Sequence, residues 1–154
     1  MSGSAVEILP FTLDRLEDVL EFEGQLRREE PDWGWEIDDA YRRAVKESFS
    51  DPRFAGALTL LAYKDGRVVG RIDAALAASH FEGAIQAYLD WICVLKSCRH
   101  QGIAQALMTE LRARLKARGL GTLVGLIAAN PEAQSFYRSM EGAKIRDEGI
   151  WIDL

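Results

Sequence analysis

Apolar residues along the 154-residue chain recur with the period of helices in some segments and that of strands in others. The clearest helical segment lies between Gly102 and Gly119. Its apolar side chains recur at every fourth position, at Ile103, Leu107, Leu111 and Leu115. This spacing predicts an amphipathic helix that starts at one glycine and ends at the other.

The same patterns predict four helices and seven strands in total. Two helices are expected between residues 12 and 49, a third after Gly102, and a fourth that starts at Pro131. Strands are expected over residues 6–9, 58–63, 67–77, 85–95, 122–128, 143–147 and 150–154. Asp65-Gly66 is typical of a hairpin turn between two of them.

The predicted element order is strand, two helices, three strands, helix, strand, helix and two strands. That order favours an α/β (α+β) fold with a mixed, mainly antiparallel seven-stranded sheet and one parallel pair across the third helix. We expect a single domain over residues 5–154, because no linker or repeat interrupts the pattern. Residues 1–4 are expected to form a flexible tail.

Composition narrows the classes of function. The formal net charge of −5 argues against a general nucleic-acid binder and favours a cationic small molecule. No apolar run reaches the roughly 18 residues of a membrane helix, and the first residues lack the blocks of a signal peptide. We therefore predict a cytoplasmic protein that binds neither nucleic acid nor membrane.

The cysteine and histidine content predicts no metal site. The two cysteines, Cys93 and Cys98, are expected to be unpaired thiols. The two histidines do not stand at a metal-ligand spacing from them.

The turn before the third helix carries the best candidate chemistry. A helix N-terminus leaves backbone N–H groups unpaired and adds a partial positive charge. Gly102 lets an anion approach the backbone, and Arg99 adds a formal charge. The whole segment reads Arg99, His100, Gln101, Gly102, Ile103 and Ala104. A pyrophosphate would fit this turn, although a glycine that serves packing alone is the alternative.

Three blocks of the sequence together resemble the GNAT superfamily of N-acetyltransferases. The family motif of Arg or Gln, two variable residues, Gly, one variable residue and Gly or Ala matches Arg99, Gly102 and Ala104. Residues 65–70 resemble the family's hairpin between its second and third strands. Residues 130–137 resemble its second cofactor block, although the stretch that follows is one residue longer near Glu141 than is usual.

The resemblance implies a binding site for acetyl-CoA, with no metal. In the family, the pantetheine arm pairs with strand backbone, here at Ile92, Cys93 and Val94. The amides from Arg99 to Ala104 would hold the pyrophosphate, and Asn130 and Ala133 would line the far side. Transfer to an amine would then be direct, in a ternary complex.

Two side chains are the implied catalytic groups. Tyr137 resembles the tyrosine that faces the cofactor sulfur and would be the general acid, with packing beside Phe136 as its alternative role. Asp90 lies where family members often carry an acidic residue. A buried carboxylate on this apolar strand would suit a base, and pairing with a nearby group is the alternative.

The acceptor is expected at the acidic segment between the first two helices. Glu30, Trp33 and Trp35, with Glu82 on a later loop, would bind a cationic amine through charge and cation–π contact. An aminoglycoside, a polyamine or a protein amine would qualify; a homodimer is implied by analogy with the family. A non-catalytic acetyl-CoA sensor is the alternative function.

Overall fold

The structure is a computed structural model, and it describes residues 5–32, 34–81 and 83–154. Its strands and helices, in chain order, are β1 (Glu7–Pro10), α1 (Leu16–Glu29), α2 (Asp39–Ser48), β2 (Leu58–Lys64), β3 (Arg67–Ser79), β4 (Ala84–Val94), α3 (Ile103–Ala117), β5 (Leu123–Gly125) and α4 (Pro131–Arg138). Short 3-10 turns occupy Leu13–Arg15, Pro52–Phe54 and Lys96–Cys98.

The chain divides into two units, one ending at Val124 and the other spanning Gly125–Leu154. The single domain expected over residues 5–154 stays a prediction.

The described residues form a five-stranded sheet in the order β1-β2-β3-β4-β5. The ladders β1–β2, β2–β3 and β3–β4 are antiparallel, which confirms the mainly antiparallel prediction. Between β2 and β3, Asp65 and Gly66 both have left-handed backbone, with φ of 51° and 76°. Two left-handed central residues define the turn that the sequence predicted there.

The prediction of seven strands is wrong, because the closing hairpin does not form. Residues 143–147 and 150–154 adopt neither strand nor helix in the structure. Ile150, Trp151 and Leu154 are all exposed. An alternating pattern stabilises a strand only where one face is buried and the backbone has a partner, and this segment has no buried apolar face.

Successive residues of β3 show that α1 and α3 cover opposite faces of the sheet. A side chain at Gly70 would meet Ile103 and Leu107 of α3. The next residue, Arg71, forms an ion pair with Glu23 of α1 at 3.0 Å. The largest side chains in the core are almost completely buried and come from both layers and the sheet: Val19, Phe22, Leu26, Leu60, Leu61, Ile72, Leu107 and Leu111.

Gly70→Ala should destabilise the fold. The added Cβ would lie 3.1 Å from Cγ2 of Ile103 and 3.3 Å from the carbonyl oxygen of Cys93. Because a backbone oxygen cannot easily move away, we expect a loss of about 1–3 kcal/mol in the free energy of unfolding, measured in urea. Gly121→Ala is the control, since no atom lies within 4 Å of its Cβ position. Equal stability of the two variants would contradict this packing argument.

Candidate functional site

The turn between β4 and α3 has the geometry of an anion site. Gly102 is the N-cap of α3, with a φ of 77° and no side-chain hydrogen bond that caps the helix. No atom lies within 4 Å of the position that its Cβ would take. The first N–H groups of this 15-residue helix thus have neither a helical acceptor nor a side-chain cap from Gly102. A pyrophosphate fits these donors.

His100 also adopts a left-handed conformation in this turn, with a φ of 60°. Left-handed residues are uncommon outside glycine and cost conformational energy, although histidine is among the types enriched there. Ile103 is buried in the core, so its contribution to an anion site would come from its backbone. The segment from Arg99 to Ala104 therefore contains two left-handed residues, His100 and Gly102, and leads into α3 where the sequence predicted a helix.

The backbone of β4 has groups that point away from β3. Leu95 donates its N–H to the carbonyl oxygen of Val69 at 2.9 Å. Hydrogen-bonded pairs alternate along an antiparallel ladder, so Cys93 bonds to β3 in turn. Ile92 and Val94 therefore direct their N–H and C=O groups to the opposite edge of β4, the edge that pantetheine pairing requires.

Asp90 lies at a β-bulge. In the β3–β4 ladder Asp73 faces Trp91 and Ala74 faces Leu89, which leaves Asp90 as an extra residue in β4. Its side chain is exposed. The burial that was expected of this carboxylate is therefore absent, and Asp90 is instead the extra residue of the bulge. The assignment of Asp90 as a base stays a prediction.

Arg99 and Glu30 are paired with each other. Nη2 of Arg99 donates to Oε2 of Glu30 at 2.6 Å, with side-chain exposures of 19% and 17%. Nε of Arg99 also donates to the carbonyl oxygen of Val94 at 3.2 Å. Arg99, which was predicted to bind phosphate, therefore forms an ion pair with Glu30, which was predicted to bind the acceptor. Recognition of an anion at this turn consequently falls mainly on backbone N–H groups.

Trp35 likewise contacts a cation of its own chain. The guanidinium of Arg27 lies 5.0 Å from the centre of a Trp35 ring, and its Nε donates to the Trp35 carbonyl oxygen at 3.1 Å. Trp35 was predicted to make a cation–π contact with the acceptor, and in this structure it makes that contact with Arg27 instead. Trp33 and Glu82, the other two predicted acceptor residues, lie outside the described residues.

A buried ionic cluster lies between α1 and β3, and the sequence reasoning missed it. Glu23, 3% exposed, pairs with both Arg27 and Arg71. Arg71 makes two further bonds to Asp73, at 2.6 and 2.9 Å, and Asp73 accepts a bond from Thr59 at 2.6 Å. The sequence did contain a sign of this cluster, because Glu23 is a charged residue on the apolar face of α1, between Leu20 and Leu26.

Cys93 borders this cluster. Trp91 donates its ring N–H to the Cys93 sulfur at 3.1 Å. Burial, together with the nearby Glu23 carboxylate, raises the pKa of the Cys93 thiol to about 12. The thiol is therefore neutral at physiological pH and is a poor nucleophile.

In the second unit, Asn130 starts α4. Its side-chain oxygen accepts the N–H of Ala133 at 2.8 Å, and Pro131 occupies the first turn, as predicted. The structure thus gives Asn130 a capping role and uses the Ala133 amide in it. Their predicted contact with the cofactor stays a prediction.

Tyr137 lies on the same helix. Its ring packs edge-on against Phe136, with 5.1 Å between the ring centres. Partial burial raises the pKa of the Tyr137 hydroxyl above its ordinary value. A hydroxyl that stays protonated at neutral pH meets the first requirement of a general acid.

Neither a membrane-spanning helix nor a metal-ligand cluster occurs within residues 5–32, 34–81 and 83–154. Within these ranges no helix has the length and apolar character needed to cross a membrane. Nor does this part of the chain bring three metal-ligating side chains together.

Comparison with known proteins gave matches to structures and to one family. Curated protein sequences gave no match. An aminoglycoside acetyltransferase, meta-AAC0020, from an uncultured soil metagenomic sample is 15% identical, with a TM-score of 0.81, over 97% of this chain and 96% of that one. A ribosomal-protein-alanine N-acetyltransferase from Brucella melitensis biovar Abortus 2308 is 22% identical, with a TM-score of 0.72, over 97% and 99%.

A transcriptional regulator from Bacillus halodurans C-125 is 22% identical, with a TM-score of 0.79, over 97% of this chain and 100% of that one. Identities this low show a shared fold. The family model described as the acetyltransferase (GNAT) family matches residues 20–141, which is most of the chain. With the strand, turn and helix geometry above, this match shows that the protein belongs to the GNAT family of acetyltransferases.

Proposed function

We propose that this protein is an N-acetyltransferase that moves an acetyl group from acetyl-CoA to a primary amine by direct attack in a ternary complex. The observation that carries the proposal is the open N-terminus of α3 at Gly102. In a member of this family, an uncapped helix start directly after β4 supports binding of the pyrophosphate of coenzyme A.

The donor would be held by backbone. The first amides of α3, from Ile103 onward, would bind phosphate. The outward groups of Ile92 and the outward N–H of Val94 would pair with the pantetheine arm, since the Val94 carbonyl oxygen already accepts a bond from Arg99. Bound acetyl-CoA supplies the acetyl thioester. Because Arg99 is already paired with Glu30, we propose that it shapes the turn as well as adding charge.

Direct attack agrees with the state of Cys93. A covalent acetyl-cysteine route would need a thiolate, and burial keeps this thiol protonated. Tyr137 is the proposed acid that protonates the departing thiolate. Asp90, exposed at the bulge of β4, is the proposed base that removes a proton from the amine through water.

The acceptor is a primary amine, either a small cationic amine of the aminoglycoside or polyamine type or a protein amine. Glu30 and Trp35 each have an arginine partner, so neither supports recognition of a polycation in this state.

A screen for release of coenzyme A thiol, with amines and peptides as acceptors, tests the proposal. The panel should contain an aminoglycoside, a polyamine, a lysine peptide and a free N-terminal peptide, each at several concentrations. Release that depends on an amine supports the enzyme. Binding of acetyl-CoA without release on any amine would instead favour a non-catalytic sensor.

Gly102→Ala should weaken binding of coenzyme A by about tenfold, measured by isothermal titration calorimetry. The Cβ would intrude on the space in front of the α3 amides. Gly119→Ala is a closely matched control, because Gly119 has a φ of 81° against 77° at Gly102 and neither Cβ position has an atom within 4 Å. Both variants should lose about 1–2 kcal/mol of stability through left-handed strain. Equal affinity in the two variants would remove Gly102 from the donor site.

Tyr137→Phe should lower kcat about 100-fold and leave the affinity for coenzyme A unchanged. Burial raises the pKa of the Tyr137 hydroxyl, so wild-type turnover should not fall through loss of this proton until the pH passes the ordinary range of tyrosine. Tyr63→Phe is the control, because it also removes one hydroxyl, which bonds Asp18 at 2.7 Å in the first unit. Unchanged kcat in Tyr137→Phe would exclude it as the acid.

A further inference from the structure

In the turn before α3, three residues spaced two apart each form a hydrogen bond with a side chain from another element. Ser97 bonds Glu29, Arg99 bonds Glu30, and Gln101 bonds Lys64. Glu29 and Glu30 stand at the C-terminal end of α1, and Lys64 is the last residue of β2. The turn is therefore anchored from the α1 and β2 side at every second position.

Glu29 uses both carboxylate oxygens. Oε2 accepts the backbone N–H of Ser97 at 3.1 Å, and Oε1 accepts the Ser97 hydroxyl at 2.7 Å and the amide of Gln25 at 3.0 Å. Desolvation works to raise the pKa of Glu29, but the hydrogen bonds from Gln25 and Ser97 outweigh it and hold the pKa below its usual value. The anchor is therefore fully charged at neutral pH and is lost only as the pH falls through that lowered pKa.

Glu30 completes a connection from α1 to β4. Its carboxylate holds the Arg99 guanidinium, which in turn donates to the carbonyl oxygen of Val94. Val94 is the last residue of β4 and one of the residues proposed to pair with pantetheine. One arginine thus joins the end of α1, the end of β4 and the start of the turn.

We propose that Glu29 and Glu30 are positioning residues for the acyl-donor turn, and that Glu30 acts in the donor half of the site and not in acceptor binding. This inference rests on the proposed function. The two carboxylates contact residues of the turn, and they would affect binding of an anion only by fixing the position of those residues. They hold Ser97 and Arg99 so that the α3 amides are in place before the donor arrives, which lowers the cost of binding.

The surroundings of the anchors allow this inference to be tested without unfolding the protein. Gln25, Glu29, Lys64 and Ser97 line an open cleft of about 570 Å³. Substitutions there leave the apolar core intact. Glu29→Gln keeps the shape but turns one acceptor oxygen into an N–H₂ donor that opposes Ser97, and Glu30→Gln removes the charge that holds Arg99.

The experiment compares wild type, Glu29→Gln, Glu30→Gln, Ser97→Ala and the control Glu47→Gln. Glu47 lies exposed on α2, so the control makes the same chemical change outside the anchors. Titration with coenzyme A itself gives Kd, thermal unfolding gives Tm, and hydrogen exchange of the free proteins follows the amides of residues 97–104. Steady-state assays on the best amine of the screen add KM for acetyl-CoA and kcat.

We expect Kd for coenzyme A to rise about tenfold in Glu29→Gln and Glu30→Gln. KM for acetyl-CoA should rise in parallel, with kcat at saturation within about twofold of wild type. Amides 97–104 should exchange about tenfold faster. Ser97→Ala should reproduce part of the effect of Glu29→Gln, because the Ser97 backbone N–H still bonds Glu29. A further variant, Glu30→Asp, keeps the charge and should recover part of the affinity that Glu30→Gln loses. The control should match wild type throughout.

The outcomes separate the two proposals. Wild-type affinity and exchange in both carboxylate variants would overturn the positioning role and leave the acetyltransferase proposal standing. A lower Tm with unchanged Kd would also overturn it, because that is the signature of a structural role alone. If wild type does not bind coenzyme A, the proposed function fails, and exchange of residues 97–104 still decides whether the carboxylates hold the turn.

Discussion

The position of α1 depends on one buried carboxylate. Glu23 is almost completely buried, and Arg27 and Arg71 both pair with its carboxylate. Arg27 lies on α1 itself, so the pair with Arg71 is the one that joins α1 to β3. Glu30 follows Glu23 by two helical turns, on the same helix face and about 10 Å farther along the axis. The buried ion pair between Glu23 and Arg71 therefore also helps to position Glu30 for its contact with Arg99.

Features determined by a few adjacent residues were predictable from the sequence. The left-handed turn at Asp65-Gly66 needs only those two residues. The start of α3 at Gly102 follows from a glycine before a strong amphipathic pattern. The start of α4 at Asn130 and Pro131 has the same local origin. These local signals predicted the turn before α3 and the start of α4 correctly, while contact of either segment with coenzyme A stays a prediction.

Features that depend on distant partners were not predictable. Glu30 and Arg99 are 69 residues apart, so neither shows in sequence that it is already paired. Asp90 was expected to be buried because its strand is mostly apolar, but it is exposed and is the extra residue of a bulge in β4. The closing hairpin failed for a related reason, since its pattern alternates although nothing buries its apolar side chains.

The contact between Arg27 and Trp35 bears on how acceptor range could change in evolution. The indole of Trp35 is more than half exposed and already carries a guanidinium. Replacing Arg27 with a neutral residue would free that ring face and leave part of the Glu23 charge uncompensated, at a cost in stability. An aromatic face open to a cationic group is therefore one substitution away from this chain, opposed by the stability of the same buried cluster that joins α1 to β3.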